Sequence, residues 1–138
     1  MYKTNLKILA VVDNLAAVLK EVDTQLNAEG CPLKTRMQID IAVDEVFSNI
    51  AFYAYTPGTG DARILFDYDD AAGTVSITFL DKGIPYNPLK NKDPDVTLSA
   101  EERKIGGLGI FMVKKSMDEM LYEYRDGQNM LTLRKRIR

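Results

Sequence analysis

The sequence predicts an α+β domain, a two-layer sandwich in which a mostly antiparallel sheet of about five strands carries three helices on one face. Three observations lead there. Apolar residues recur at three- and four-residue steps in three segments, the signature of helices that bury one stripe. In other segments they alternate with polar residues, as strands with one buried face do. And 138 residues, 46% of them hydrophobic and 28% charged, suit one domain spanning 1–138 around a single core.

Taken in order, residues 6–12 are apolar and β-branched enough for a first strand, after which Asp13 or Asn14 offers an oxygen to cap a helix. In that helix Leu15, Val18, Leu19, Val22 and Leu26 form one stripe, and Gly30-Cys31-Pro32 ends it. A second helix starts near residues 33–36. Its stripe of Ile39, Ala42, Val43, Val46, Phe47 and Ile50 runs until Thr56-Pro57-Gly58-Thr59-Gly60. Two strands follow, because Ile64, Phe66 and Tyr68 alternate with charged residues and Val75, Ile77 and Phe79 with hydroxyl-bearing ones. Asp70-Ala71-Ala72-Gly73 is short enough to join them as a hairpin. The polar segment 82–104, with Pro85, Pro88 and Pro94, is long for a loop inside a compact domain, and such loops are functional or disordered. A third helix, 108–117, is opened by glycines, and a hairpin of 121–124 with 130–137 closes around Asp126-Gly127. The sheet face without helices either stays wet or meets a partner, and the hydrophobic first strand suits an oligomer or partner contact.

Composition removes several chemistries. One cysteine, Cys31, and no histidine exclude intrachain disulfides, Cys/His zinc sites, a Ser-His-Asp triad and a phosphoacceptor histidine. Acid–base work near neutral pH falls to a carboxylate, a Lys, a Tyr or Cys31, and a hard cation falls to oxygen ligands. A net charge of -2 and a pI near 5.2 argue against nucleic-acid binding. The basic run Arg134, Lys135, Arg136 and Arg138 reads as a solvated strand end. The N-terminal apolar stretch is too short for a signal peptide and no stretch of about 18 apolar residues occurs, so the expectation is a cytoplasmic protein with no membrane partner.

Three local signals carry chemistry. Glu45 and Asn49, four residues apart on the second helix, share one face at the edge of its buried stripe. A carboxylate there can take a proton from a nucleophile and an amide oxygen can ligate magnesium, although the same spacing also occurs on many solvated helix faces. Asp81, in Asp81-Lys82-Gly83-Ile84-Pro85, has the strand parity of Val75, Ile77 and Phe79, so its carboxylate points between sheet and helices. A buried carboxylate needs donors, which an adenine amino group or the backbone of its own turn could supply. Gly83 would let a ring approach the backbone. Last, Gly106-Gly107-Leu108-Gly109 opens a helix whose unpaired N–H groups and dipole can receive phosphates. It lacks the Lys-Ser/Thr ending of a Walker A loop and does not follow a strand as a dinucleotide fingerprint does.

In this order, Glu45-x-x-x-Asn49, Asp81-x-Gly83-x-Pro85 and Gly107-x-Gly109 resemble the N box and the two glycine boxes of the GHKL ATPases. The phrase Asp81-Lys82-Gly83-Ile84-Pro85-Tyr86-Asn87-Pro88, and Gly106-Gly107-Leu108-Gly109-Ile110-Phe111 leading to Met117-Asp118-Glu119, resemble the bacterial anti-sigma factor serine kinases, over nearly the whole chain. The resemblance implies a Bergerat-type fold binding ATP or ADP with Mg²⁺. It implies Glu45 as general base toward a protein serine, Asn49 as the metal ligand, and Asp81 as acceptor of the adenine amino group. Gly83 would line the base pocket, Gly107, Leu108 and Gly109 would cradle phosphates, and about 87–105 would form a lid. The implied partners are an anti-anti-sigma protein of the STAS type and a sigma factor, with a homodimer as a family expectation. A different class of function, a nucleotide-dependent binding switch without phosphate transfer, is compatible with the same residues. The chain departs from family habit at Tyr53, where a histidine is common, and at Ile105, where some members have arginine and where here Arg103 and Lys104 lie further back. No adenine-side threonine can be assigned, because Thr132 shares the parity of Arg134.

Overall fold

A computed structural model describes residues 4–90 and 107–138. Among them, five strands form one antiparallel sheet: β1 Thr4–Leu9, β2 Asp61–Asp69, β3 Thr74–Asp81, β4 Glu119–Arg125 and β5 Gln128–Arg136. Three helices lie against one face, α1 Leu15–Ala28, α2 Leu33–Asn49 and α3 Gly107–Ser116, so the expected two-layer α+β sandwich is what the chain forms. The spatial order β1-β2-β3-β5-β4 makes β1 and β4 the edges and inserts the last strand beside β3.

Alternation decides which side chains meet the helices. Leu6 pairs with Ile64, Ile64 with Phe79, Phe79 with Leu131, and Leu131 with Tyr122, a row across all five strands on the helix-facing side. These residues pack with Val18, Val22 and Leu26 of α1 and with Ile39, Val43, Val46 and Phe47 of α2. Each such fully buried aliphatic or aromatic side chain contributes roughly 1.5–3 kcal/mol. On the opposite face Thr132 hydrogen-bonds Thr78 at 3.1 Å, so it is turned away from the helices as its parity predicts. The basic run at the end of β5 is held in surface pairs: Arg134 with Glu119, Lys135 with Asp118, and Arg138 with Asp70.

Several local expectations shift. The first strand starts earlier than residue 6 and ends at Leu9, with a 3-10 turn over Val12–Asn14. Asn14 does not cap α1 through its oxygen; its amide instead donates to the Leu9 carbonyl at 2.8 Å and ties the helix start to the strand end. The second helix does not run uniformly to residue 56 but gives way after Asn49 to a π-helical turn, Ile50–Ala54. π turns occur mostly as single-turn bulges, frequently at functional sites. The Asp126-Gly127 hairpin forms as expected, both residues having positive φ, 54° and 75°, as a two-residue turn between twisted strands requires.

The π turn that follows α2 is stitched to the sheet through Tyr55. Its hydroxyl donates to the Asp61 carbonyl at 2.6 Å and accepts the Lys82 N–H at 2.7 Å, joining the start of β2 and the end of β3 to one side chain. The Ile84 N–H donates to the Ala54 carbonyl at 3.0 Å. These bonds fix the C-terminal end of α2 against the chain just after Asp81.

Candidate functional site

Where α2, the end of β3, β5 and the start of α3 converge, a cavity of about 350 Å³ opens. That is within the range of small-ligand pockets. Val46, Ile50, Phe79, Ile110 and Leu131 give it apolar walls, and Asn49, Tyr53, Asp81, Tyr86, Tyr122 and Asn129 supply its polar atoms. The structure therefore brings Asn49 and Asp81 into one cavity from elements far apart in sequence. Tyr53, the residue standing where histidine is common, lines it too.

Among the described residues Asp81 is the most buried charged group, with 6% of its surface exposed. Its Oδ1 accepts from the Gly83 N–H and from the Asn129 amide, both at 2.9 Å. Burial pushes the carboxyl upward from the ordinary range, and these two bonds pull it back by favouring the ionised form. Both bonds fall on one oxygen, so among the described residues Oδ2 has no donor and is left toward the cavity.

Glu45 lies one turn before Asn49 on α2, beside Gly109 of α3, and neither it nor Gly109 is among the cavity walls. A Cβ on Gly109 would lie 2.7 Å from the Glu45 carboxylate carbon, well inside contact distance, so the missing side chain leaves the space the carboxylate occupies. Partial burial, and then the neighbouring charge of Asp44, raise the Glu45 carboxyl above its ordinary value. Asp44 is itself turned to Ser48, whose hydroxyl donates to it at 3.0 Å.

Gly83 stands differently from the expectation of a pocket-lining glycine. It is not among the cavity walls; its Cα packs on the π turn, where a Cβ would lie 2.6 Å from the Ala54 carbonyl carbon. A close approach is indeed what requires glycine there, but the approaching group is the protein's own backbone. Gly107 and Leu108 form the first residues of α3, adjoining Gly109. Of the expected lid, residues 87–90 include a short 3-10 turn, Pro88–Lys90, whose Pro88 lines the cavity, and 91–105, with Arg103, Lys104 and Ile105, lie outside the described residues. Sequence reading missed Asn129, Tyr122 and Tyr55. The signal that could have found Asn129 was its polarity on the apolar parity of β5, in line with Leu131 and Leu133.

The donor set fits a nucleotide with a hard cation. Apolar walls and tyrosines suit a purine, one inward carboxylate oxygen suits an amino group, and Asn49 is a neutral oxygen at the same face as Glu45. Among the described residues no cluster of three or more His, Cys, Asp or Glu stands ready to hold a metal alone, so a cation here would complete its shell with water and phosphate oxygens.

Comparison with known proteins agrees with this geometry. Residues 8–135 match the family described as the histidine kinase-like ATPase domain. The chain is 31% identical over 100 residues to the serine/threonine-protein kinase BtrW of Bordetella bronchiseptica, covering 72% of this chain and 70% of that one. It is 26% identical over 134 residues to the serine-protein kinase RsbW of Bacillus mycoides, covering 94% and 82%. A crystal structure of RsbU and RsbW domains from Mycobacterium tuberculosis superposes with a TM-score of 0.66 at 16% identity, over 98% of this chain. This chain spans about a third of that one, 33%, and the likeness concerns the fold. Among the described residues no helix is long and apolar enough to cross a membrane.

Proposed function

Because the chain belongs to the histidine kinase-like ATPase domain family, we propose that it is an ATP-dependent protein serine kinase and anti-sigma factor. On this reading it phosphorylates an anti-anti-sigma partner of the STAS type, sequesters a sigma factor, and works in the bacterial cytoplasm. Residues 1–138 act as one ATP-binding domain with a lid over about 87–105. Two similar proteins are named serine/threonine- and serine-protein kinases, which supports the transfer reading.

The observation that carries the proposal is a juxtaposition: a carboxylate held beside Gly109 at the start of α3, an amide oxygen one helical turn on that lines the cavity, and a buried carboxylate inside it. Bound Mg-ATP would supply the phosphoryl group and the charge neutralisation its transfer needs. The chain's own residues do the rest. Asp81 accepts the purine amino group and so orients the nucleotide. Asn49 offers its side-chain oxygen to magnesium. The first N–H groups of α3, from Gly107 through Gly109, face phosphate oxygens as helix N-termini do. Glu45 accepts the proton of the incoming serine hydroxyl. Its raised carboxyl suits that role, since a base works best when its pKa approaches the working pH.

The test is transfer of γ-labelled phosphate from Mg-ATP to STAS-domain proteins of the same source, wild type beside Glu45→Gln. Label should appear on a partner serine and fall by about 10²–10⁴-fold in the variant, with ATP affinity nearly unchanged. Saturable ATP binding without any label would replace the kinase by a nucleotide-dependent binding switch. Absence of saturable Mg-ATP binding in calorimetry would remove both readings.

A further inference from the structure

Asn129 is buried to 6% exposure beside Asp81, opposite it across the β3–β5 pair. All four of its hydrogen-bonding positions are used. Its Nδ2 donates to Asp81 Oδ1 at 2.9 Å and to the Ile84 carbonyl at 2.9 Å. Its Oδ1 accepts the Tyr86 N–H at 3.0 Å and the Tyr122 hydroxyl at 2.5 Å. Two of these partners are backbone groups with a fixed role, a carbonyl that can only accept and an N–H that can only donate. The amide therefore cannot turn over without losing both. With the amide locked, Asp81 Oδ1 always meets a donor and Oδ2 always faces the cavity as an acceptor.

We propose that Asn129, held by Tyr122, is a positioning residue that fixes Asp81 as an obligate hydrogen-bond acceptor, so that the pocket selects 6-amino purines and rejects 6-oxo purines. The inference rests on the nucleotide reading of the cavity and deepens it. A 6-amino group donates to Oδ2. A 6-oxo group turns a lone pair toward the same carboxylate, and Asn129 has no spare N–H to offer it. A site built for one hydrogen-bonding pattern discriminates strongly, because the wrong partner leaves buried groups unpaired. The titratable groups facing Asp81 are the hydroxyls of Tyr55, just after the π turn, and Tyr122, from β4, both held above the ordinary tyrosine range and uncharged near neutrality.

The experiment measures Kd for ATP and for inosine triphosphate by competition against a fluorescent ATP analogue, between pH 6 and 8.5. Wild type, Asn129→Leu and Tyr122→Phe are compared, with melting curves for each. Wild type should prefer ATP by roughly ten- to a hundred-fold, the worth of one hydrogen bond to a charged group, with a ratio that is flat across this pH range. In Asn129→Leu the carboxyl loses the bond that favours its ionised form. It takes up a proton more readily, can then donate to a 6-oxo group, and the preference should shrink by about ten-fold at pH 6 and recover as pH rises. Tyr122→Phe should move the ratio the same way by a few fold, and carries the test if Asn129→Leu does not fold. Equal weakening of both nucleotides, without a change of ratio or pH profile, would show that Asn129 is merely structural and overturn the inference. A wild type that binds neither nucleotide would instead overturn the nucleotide reading itself.

Discussion

Replacing Gly109 with alanine tests whether the missing side chain of this glycine serves the phosphates or the base. A Cβ there would lie 2.7 Å from Cδ of Glu45, whereas carbon atoms at rest sit about 3.5–4.0 Å apart. Something must give by roughly 1 Å. The group it meets is the end of the flexible Glu45 side chain, so the carboxylate swings away and the backbone stays. An off-rotamer side chain costs about 0.5–1.5 kcal/mol, and alanine in place of helical glycine returns up to about 1 kcal/mol. Folding stability should therefore change by less than about 1 kcal/mol. Transfer is more sensitive, since a displacement of about 1 Å costs on the order of 10²-fold in rate. Gly109→Ala should thus keep its melting temperature and bind ATP within about three-fold, yet transfer phosphate about 10²-fold more slowly.

The assay is single-turnover transfer to the protein substrate, in wild type, Gly109→Ala, Glu45→Gln and the double variant. If Gly109 acts through Glu45, the two losses will not multiply. Once the base is gone, adding alanine should cost no more than about three-fold further. Fully multiplicative losses, or a fall in ATP affinity as large as the fall in rate, would refute the reasoning and return Gly109 to the phosphates.

Two other perturbations follow from contacts elsewhere in the same architecture. Gly83→Ala directs its Cβ at the Ala54 backbone, which cannot swing aside. The end of β3 must then part from α2 and lose the 3.0 Å Ile84–Ala54 bond, so unfolding in urea should show a loss of about 1–3 kcal/mol. Between α1 and α2, Asp23 and Asp40 each bury an oxygen with no donor. Burial first, then a proton shared with Asp23, push the Asp40 carboxyl up from 3.8 to about 7, against the pull of Arg36. Between those two values the folded chain keeps a proton that the unfolded chain has lost, so wild-type stability falls as pH rises through the window and levels above about 7. Asp40→Asn should abolish that slope and be the more stable protein at pH 8, by about 1 kcal/mol after allowance for partial exposure. Urea midpoints at pH 5, 6.5 and 8 that keep the wild-type slope in the variant would place the titration elsewhere.

What the sequence makes legible is whatever depends on period or spacing. Alternation in residues 64–68 and 75–79 places two strands and, by continuing the parity, aims Asp81 inward, where it is found buried. The four-residue step from Glu45 to Asn49 puts both on one helix face, and the glycines before Ile110 mark the start of α3. The π turn is not legible, since Ile50 and Ala54 continue the apolar stripe of α2 and nothing local separates a five-residue repeat from a four-residue one. Asn129 is legible only as a polar residue on the apolar parity of β5. Its meaning depends on a pairing with Asp81 that requires β5 to lie beside β3 with β4 outside, an order that chain sequence does not dictate. Gly83 and Gly109 are found by their spacing, but what crowds them, Ala54 of the π turn and Glu45 of α2, is a fact of packing.

The two ends of the cleft are consequently built on opposite principles. At the Asp81 end, Asp81 and Asn129 sit in a network in which every side-chain polar atom but one has its partner among the described residues, and a network of that kind in a low dielectric is stiff and intolerant of a mismatched ligand. At the other end Glu45 is held by an absence: among the described residues no donor pairs with its carboxylate, and the missing side chain of Gly109 leaves it room. A base that must accept a proton from an incoming hydroxyl gains from such freedom, because a donor already bonded to it would lower its pKa and compete for its lone pairs. Recognition and transfer should then separate under mutation. Changes around Asn129 should move nucleotide affinity and selectivity while the rate from the bound state survives, and changes at Gly109 should do the reverse.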